Sequence, residues 1–374
     1  MFMHVQIQSQ EFTEVLFNVQ GVASGKTTIP IYSHVLLKTE GDYLRVYATD
    51  NDLGIDCLIP IQVRKPGSIA LPAKNLFEII KSLSSQSIEL IEIENHYVEI
   101  KSGKTRFKLV GLSPEDFPAL SYPKTDNAVD FSVLDIKDLI DRTVYSTSQD
   151  ETRYNLSGTL WQVIEETFLR AVATDGHRLS YYQVKLKDQI SFPSIIIPKR
   201  TLLEIKRIIS SLKEESKEHL IQCQFSAQQI VFRFKNIVLS SRLVDGSFPD
   251  YNLVIPKQND KTIRVSRTEL MDALKRVSLL TTDKSQVVRF DISSSVMQVK
   301  SQNPALGEAQ QEVSVDYEGP DIKIGFNAHY LLDALSCIQE GGVQLEMNHP
   351  LSPCQIQPIE NKNFLAIVMP IRLE

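Results

Sequence analysis

ATDGHRLS, residues 173–180, sets an Asp, a His, an Arg and a Ser within six positions. Those residue types serve acid–base or nucleophilic chemistry, and they serve a polar turn or a docking edge equally well. The stretch is half of a pair: YATD ends at Asp50 and VATD ends at Asp175. The chain therefore has to be read for internal repeats before any single motif is interpreted.

Other marks recur with the same spacing. LPAKNLFEIIKSL (71–83) and IPKRTLLEIKRIISSL (197–212) each begin beside a Pro, and Pro72 and Pro198 lie 126 residues apart. Leu76, Phe77, Ile80 and Leu83 in one, and Leu202, Ile205, Ile208, Ile209 and Leu212 in the other, have helical spacing. FNAHYLLDALSCIQ (326–339) is a looser third copy. A second amphipathic helix pattern opens at SQEFTEVLFNVQGVAS, again at Ser132 (SVLDIKDLIDRTVYSTS) and again at Ser266 (SRTELMDALKRVSLLTT). Phe-Pro occurs at 117–118 and 248–249, whereas the third unit ends at VMPIRLE.

Between the helices run alternating segments such as VLLKTEGDYLRVYAT, QIVFRFKNIVLSSRLV and VVRFDISSSVMQVKSQ, the pattern of half-buried strands. Glu40-Gly41-Asp42, Ser102-Gly103-Lys104 and Lys235-Asn236 supply hairpin turns. Each unit reads as two helices packed on antiparallel sheets. The fold class is α+β with three repeated domains, 1–126, 127–257 and 258–374, divided at the polar, Pro-marked stretches PKTDNA and PKQNDK.

Composition narrows the function. A hydrophobic share of 42% with 23% charged residues is globular, and no apolar run is long enough to span a bilayer. Cys57, Cys223, Cys337 and Cys354 lie far apart and form no C-x-x-C, which points to reduced cytoplasmic thiols and away from a zinc or disulfide framework. A net charge of −6 rules out an all-round basic coat but leaves room for a local basic surface. GVASGKTTIP (21–30) has three residues between its glycines where a phosphate-wrapping loop needs four, and the segment before it reads as helix. The reading is a loop carrying Lys26.

ATDGHRLS lacks a G-x-S-x-G elbow, and no H-E-x-x-H occurs. Asp50 is followed by NDLGI, with neither His nor Arg. Thr-Asp is then most simply a turn whose Asp accepts backbone N–H bonds. Gly176 to Leu179 belong to the middle unit alone, as a site, a binding edge or a plain turn. Lys74, Lys81, Lys137, Arg142, Lys199, Arg200, Lys206, Arg207, Arg267, Lys275 and Arg276 fall on helices of an otherwise acidic chain. They form either a solvated face or a phosphate-facing stripe that would ignore base sequence. Pro370, near the C-terminus, should end the hydrogen bonding of the last strand.

Three units, VATDGHRL, LVDGSFPDY, GFNAHYLLDAL and a terminal MPIRL together resemble the bacterial sliding clamp family, the beta subunits of the replicative DNA polymerase, over essentially the whole chain. The resemblance implies a head-to-tail homodimer closed into a ring, with helices lining the hole and sheets outside. It implies a processivity factor that encircles double-stranded DNA, breaks no bond, needs no cofactor or metal, and relies on a separate clamp loader. Partners, the replicative polymerase among them, would dock linear peptides between the second and third domains. The matching groove positions are Arg153, Leu156, Thr174, Gly176, His177, Arg178, Leu179, Pro249, Leu253, Val254, Val368, Met369, Pro370, Ile371, Arg372 and Leu373, with His177, Arg178 and Leu179 as a rim. Leu253 replaces a common Arg, Pro353 a small polar residue, and Glu374 follows the usual last Leu.

For DNA, the resemblance and the basic helix faces pick out Lys26, Lys74, Gln149, Tyr154, Lys199, Arg200 and Arg207, with Asn155 where a second Tyr is common. For the seam between protomers it implies Phe107 and Leu109 against Leu279 and Leu280, with Lys104 and Arg106 answered by acids. NPALGEAQQE keeps only Glu308 and Glu312 of that acidic run, so the seam should be mainly apolar and only modestly salt-sensitive.

Overall fold

The computed structural model describes residues 2–23, 28–118, 122, 128–150, 152–212, 220–281, 286–339 and 341–373. The first third supplies β1 (His4–Gln8), α1 (Ser9–Ala23), β2 (His34–Glu40), β3 (Tyr43–Thr49), β4 (Leu53–Pro60), β5 (Gln62–Lys65), β6 (Ser68–Pro72), α2 (Ala73–Ser82), β7 (Ser87–Glu92), β8 (Tyr97–Ser102) and β9 (Thr105–Val110). The middle third repeats the order without β5: β10 (Ala128–Ser132), α3 (Val133–Asp141), β11 (Gly158–Ile164), β12 (Phe168–Thr174), β13 (Arg178–Lys185), β14 (Ile195–Pro198), α4 (Lys199–Ser210), β15 (Leu220–Phe225), β16 (Gln229–Phe234) and β17 (Ile237–Arg242). The last third follows with β18 (Lys261–Ser266), α5 (Arg267–Val277), β19 (Val287–Ser293), β20 (Val296–Asn303), β21 (Gly307–Asp316), β22 (Ile322–Asn327), α6 (Ala328–Ser336), β23 (Gly342–Met347), β24 (Cys354–Pro358) and β25 (Phe364–Val368).

The repeat extends to strand register. His34 pairs with Pro72, Gly158 with Pro198 and Val287 with Asn327, and a helix begins at the next residue each time. α2 buries Ala73, Leu76, Phe77 and Ile80, and α4 buries Thr201, Leu202, Ile205, Ile208 and Ile209, the faces read from the sequence. Asn327 caps α6 by accepting from the N–H groups of His329 and Tyr330, and Ser266 caps α5 by accepting from Glu269. The three expected hairpin turns are present, with positive φ at Gly41, Gly103 and Lys235. The division at 126 lies outside the described residues.

The chain forms two compact units. Residues 1–134 with 200–243 hold an eight-stranded sheet, β10-β15-β16-β17-β4-β3-β2-β6, and a five-stranded sheet, β5-β1-β7-β8-β9. Residues 135–199 with 244–374 hold a twelve-stranded sheet, β14-β11-β12-β13-β25-β24-β23-β18-β21-β20-β19-β22. Each unit therefore contains one seam where strands from successive repeats pair. In the first unit β4 meets β17, with Gly54 opposite Ser240; in the second β13 meets β25, with Leu179 opposite Ile367. As Pro370 requires, the β25 ladder stops there: Val368 is its last residue, and the Met369 N–H donates to the His177 carbonyl.

Candidate functional site

The Thr-Asp turn is built by its own side chains, which is why it recurs. Asp50 Oδ1 accepts from the N–H groups of Asp52 and Leu53, and Asp175 Oδ1 from those of His177 and Arg178. Thr49 Oγ1 donates to the Leu53 carbonyl and accepts from the Asn51 N–H. Thr174 Oγ1 donates to the Arg178 carbonyl and accepts from the Gly176 N–H. The residue after Asp has positive φ in both turns: Asn51 at 84° and Gly176 at 89°. In the third repeat Asn303 Oδ1 accepts from the N–H groups of Ala305 and Leu306 in the same way, but Pro304 follows it, the positive φ falls at Gly307 instead, and the connection from Gln302 to Glu308 is one residue longer. Asn provides the same accepting oxygen as Asp, so these two bonds recur where the Thr-Asp pattern does not.

A catalytic arrangement does not assemble here. Asp175 spends Oδ1 on the turn and Oδ2 on Arg178 Nε at 3.0 Å. Ser180 is buried and donates to Ser146 Oγ and the Thr143 carbonyl. His177 is exposed on the turn, and among the described residues no hydrogen bond joins its ring to Asp175 or Ser180. No group of three His, Cys, Asp or Glu residues that could hold a metal occurs among the described residues. Burial pushes the Cys57, Cys223 and Cys354 thiols well above their ordinary pKa, which leaves them poor nucleophiles.

What the turn overlooks is an apolar floor. Leu160, Val172, Leu179, Ile196, Tyr251, Leu365 and Ile367 form one buried cluster, flanked by Tyr181, Val244, Phe248 and Ile255. Antiparallel pairing puts them side by side: Leu160 faces both Val172 and Ile196, Leu179 faces Ile367, and Tyr181 faces Leu365. Beyond the floor stand exposed apolar side chains, Leu253 at 82%, Val254 at 44% and Met369 at 38% of full exposure. Tyr251 is anchored by its hydroxyl, which accepts from Gln162 and from Arg170 Nη1, while Arg170 lies over the Tyr181 ring. Of the positions expected in the groove, Leu156, Leu179 and Val368 are buried, and Thr174, Pro370, Ile371 and Leu373 are partly so. Arg153, Gly176, His177, Pro249, Leu253, Val254, Met369 and Arg372 are exposed. Arg153 Nη1 reaches the Asp175 carbonyl at 3.2 Å, and the Ile371 N–H donates to the Gly325 carbonyl at 2.8 Å. Most of the floor (Leu160, Val172, Ile196, Leu365, Ile367) was not singled out from the sequence; the alternation in VATDGHRL was the available signal for it.

Several expected roles change. Leu179 is floor and not rim. Arg178, expected on the rim, has a side chain only 12% exposed: Nε pairs with Asp175, Nη1 with Asp333 at 2.5 Å, and Nη2 donates to the Tyr145 carbonyl at 2.7 Å. Its plane lies against the rings of Tyr145 and Tyr330. Burial opposes its charge, but the Asp333 and Asp175 carboxylates more than offset that and raise its pKa. A guanidinium used on every side is a pin between the turn and α6.

The basic helix faces thin out in the same way. Arg207 pairs with Glu204, stacks on Phe17 and donates to the Phe17 and Asn18 carbonyls of α1, so it is consumed in packing. Arg200 pairs with Asp50 and donates to the Val22 carbonyl. Arg142 is buried, donating to the Cys337 carbonyl. Lys199 is half-buried, and burial together with nearby Arg178 lowers its pKa. Lys74, Gln149 and Tyr154 are exposed; Lys26 lies outside the described residues. Arg106, Lys104 and Glu308 are exposed, Leu279 is 78% exposed, and Phe107, Leu109 and Leu280 are partly exposed.

Comparison with known proteins agrees with this architecture from end to end. Residues 3–121, 131–250 and 252–372 match the N-terminal, central and C-terminal domains of the DNA polymerase III beta subunit. A beta sliding clamp from Caulobacter vibrioides is 34% identical over 379 residues, covering 99% of this chain and all of the relative, and one from Vibrio cholerae is 30% identical over 372. The Bartonella birtlesii sliding clamp, solved bound to griselimycin, superposes with a TM-score of 0.95 at 30% identity with full coverage of both chains. The Bacillus subtilis clamp does so with a TM-score of 0.94 at 28% identity. The chain belongs to the DNA polymerase III beta subunit family, the beta sliding clamps.

Proposed function

We propose that two copies of this chain close head to tail into a ring around duplex DNA and hold the replicative polymerase there through the apolar groove of the second unit. The observation that carries this is the count of seams. Three repeats offer three equivalent seams; β4–β17 and β13–β25 occupy two of them, and β21 and the sheet edge β9 are the strands left for the third. β21 pairs with β18 only at Val315 and Asp316, which leaves the edge of residues 307–313 for another strand. A strand edge of this kind is completed by another chain.

Retention by topology needs no tight contact. Lys74, Gln149 and Tyr154, with Lys26, meet phosphates weakly, and with Arg200 and Arg207 tied into the fold the total grip is small, which suits sliding. The groove offers an apolar floor with exposed Leu253, Val254 and Met369 to hydrophobic anchors of a partner peptide, oriented by the polar edge at Arg153 and His177. Tethering raises the polymerase's effective concentration at the template, so dissociation is followed by rapid rebinding. The ring makes and breaks no bond, works in the cytoplasm, and is divided into domains near residues 126 and 257.

The test is retention on nicked circular DNA. Bound protein should co-elute with the circle through a gel-filtration column and leave it on linearisation. Loss from the intact circle at the same rate would overturn the topological reading. His177→Ala should keep the ring and weaken peptide binding.

A further inference from the structure

The apolar floor has a polar neighbour on the same face of its sheet. Leu160, Val172 and Tyr181 lie abreast on β11, β12 and β13, and two residues along the strands Gln162, Arg170 and Gln183 do the same. Strand alternation puts both rows on one face. Arg170 joins its row together: Nε and Nη2 donate to Gln183 Oε1 at 3.0 and 2.6 Å, and Nη1 donates to the Tyr251 hydroxyl at 3.2 Å. Gln162 Nε2 donates to the same hydroxyl, and the guanidinium lies 4.5 Å from the centre of the Tyr181 ring. Among the described residues no carboxylate pairs with Arg170.

The two bonds on that hydroxyl hold more than a ring. Tyr251 opens the 3-10 turn Tyr251–Leu253, and the chain there presents the exposed Leu253 and Val254. The turn's other hydrogen bonds are its own: the Leu253 N–H donates to the Asp250 carbonyl, the Val254 N–H to the Tyr251 carbonyl, and the Asn252 N–H to Asp250 Oδ1. From residue 248 to residue 259, the bonds on the Tyr251 hydroxyl are the only hydrogen bonds, among the described residues, that tie the segment to the sheet. Phe248 and Ile255 also pack on the floor, but apolar contact is non-directional and does not fix how the turn faces it.

We infer that, given the docking role proposed for this site, Arg170 is a positioning residue for the partner peptide: through the Tyr251 hydroxyl it fixes the turn that sets Leu253 and Val254 beside the apolar floor. A peptide that meets both side chains already in place loses less binding free energy to ordering them. The first repeat shows that an Arg at this place is not bound to such a task. By register Arg45 stands where Arg170 stands, facing Lys38 and Leu58, yet it pairs with Glu40 and Asp56. Carboxylates compensate the charge of Arg45. Arg170 instead uses all three nitrogens on neutral partners, and one of those partners carries the docking turn.

Calorimetric affinity for a clamp-binding peptide, measured on the full chain, tests this. Arg170→Met keeps an apolar stem over Tyr181 and removes every donor. Its peptide dissociation constant should rise about tenfold, the scale of one charge-assisted hydrogen bond, with faster amide hydrogen exchange at Leu253 and Val254 in the free protein. Arg170→Lys, which keeps one cationic donor, should recover part of the affinity. Tyr251→Phe cuts the same link, so adding Arg170→Met to it should weaken binding by less than about twofold more. Arg45→Met, the same change at the first seam, should leave the peptide constant where it is. Unaltered binding or unaltered exchange in Arg170→Met, effects that multiply in the double variant, or an equal loss from Arg45→Met overturns the positioning role. Wild-type protein that binds no peptide overturns instead the docking reading beneath it.

Discussion

At the seam of β4 with β17 and at the seam of β13 with β25 the backbones pair in the same register, and the side chains diverge position by position. Where the second seam has Leu179 opposite Ile367, the first has Gly54 opposite Ser240. Ile196 becomes Ala70, Tyr181 becomes Asp56, and Val172 becomes Tyr47. The large residue moves from the strands at the seam to the strand beside them. A Cβ at Gly54 would lie 3.5 Å from the Tyr47 ring and 3.1 Å from Ser240 Oγ, so Tyr47 already fills the space above the seam. Phe117 packs edge-on against it at 5.4 Å. One seam is closed by its own aromatics; the other is floored with aliphatics and edged by exposed Leu253, Val254 and Met369. The difference between the two seams thus needs no change of fold, only a redistribution of side-chain volume over one backbone.

The largest expected effect comes from removing floor. Leu179→Ala deletes a fully packed side chain between Val172 and Ile367 and should cost about 3 kcal/mol in urea denaturation, with peptide affinity falling at least tenfold. Loss of affinity without loss of stability would mean that Leu179 acts as rim after all. Moving the plug is the next test. Val172→Tyr places the first seam's ring where Leu179 and Ile367 already stand, an overpacking worth roughly 1–3 kcal/mol, and the ring can escape only into the groove. Calorimetry with a clamp-binding peptide should show binding much weakened, and unaltered binding would show that Tyr47 is not what closes the first seam.

These comparisons also mark what the sequence exposes and what it hides. The Thr-Asp turns were legible because their hydrogen bonds reach only two to four residues along the chain, so the motif carries its own structure. The helix faces were legible for the same reason of local period. Arg178 was misplaced because Asp333, which buries it, lies 155 residues away and Tyr330 nearly as far. Arg200 and Arg207 looked free because their partners on α1 and at Asp50 are also remote. The short strands β1, β10 and β18, which lead into α1, α3 and α5, escaped notice because each is five or six residues long and runs directly into a stronger helical period.

The turns themselves supply a smaller contrast. Asp50→Ala and Asp175→Ala each release two backbone N–H groups, a loss of about 1–2 kcal/mol. Asp175 should cost roughly 1 kcal/mol more, because Arg178 is buried and loses a partner, whereas Arg200 is half-exposed and water replaces Asp50. Equal destabilisation by the two variants would remove Arg178 from its role as a pin.

The smallest effect concerns the one carboxylate the first seam has and the second lacks. Asp56 is buried on β4, accepts the Tyr122 hydroxyl at 2.9 Å and pairs with Arg45 at 3.3 Å. Burial raises its pKa, outweighing the opposing pull of Arg45 and of the Tyr122 hydrogen bond. The native state therefore holds this proton more tightly than the unfolded chain does. As pH falls toward the unfolded-chain carboxylate value, native Asp56 is the first of the two to be protonated, and stability gains from this group as the solution acidifies. Its contribution runs against the usual acid destabilisation. Asp56→Asn removes the titration while keeping the shape, so the stability of wild type relative to the variant should rise as pH is lowered through the raised pKa. At the second seam, Tyr181 occupies the equivalent place and its pKa is pushed up, away from this range, so Tyr181→Phe should show no such pH dependence between pH 7 and pH 4. Urea titrations across that interval separate the two seams, and a flat difference for Asp56→Asn would mean that Arg45 governs this carboxylate and not burial.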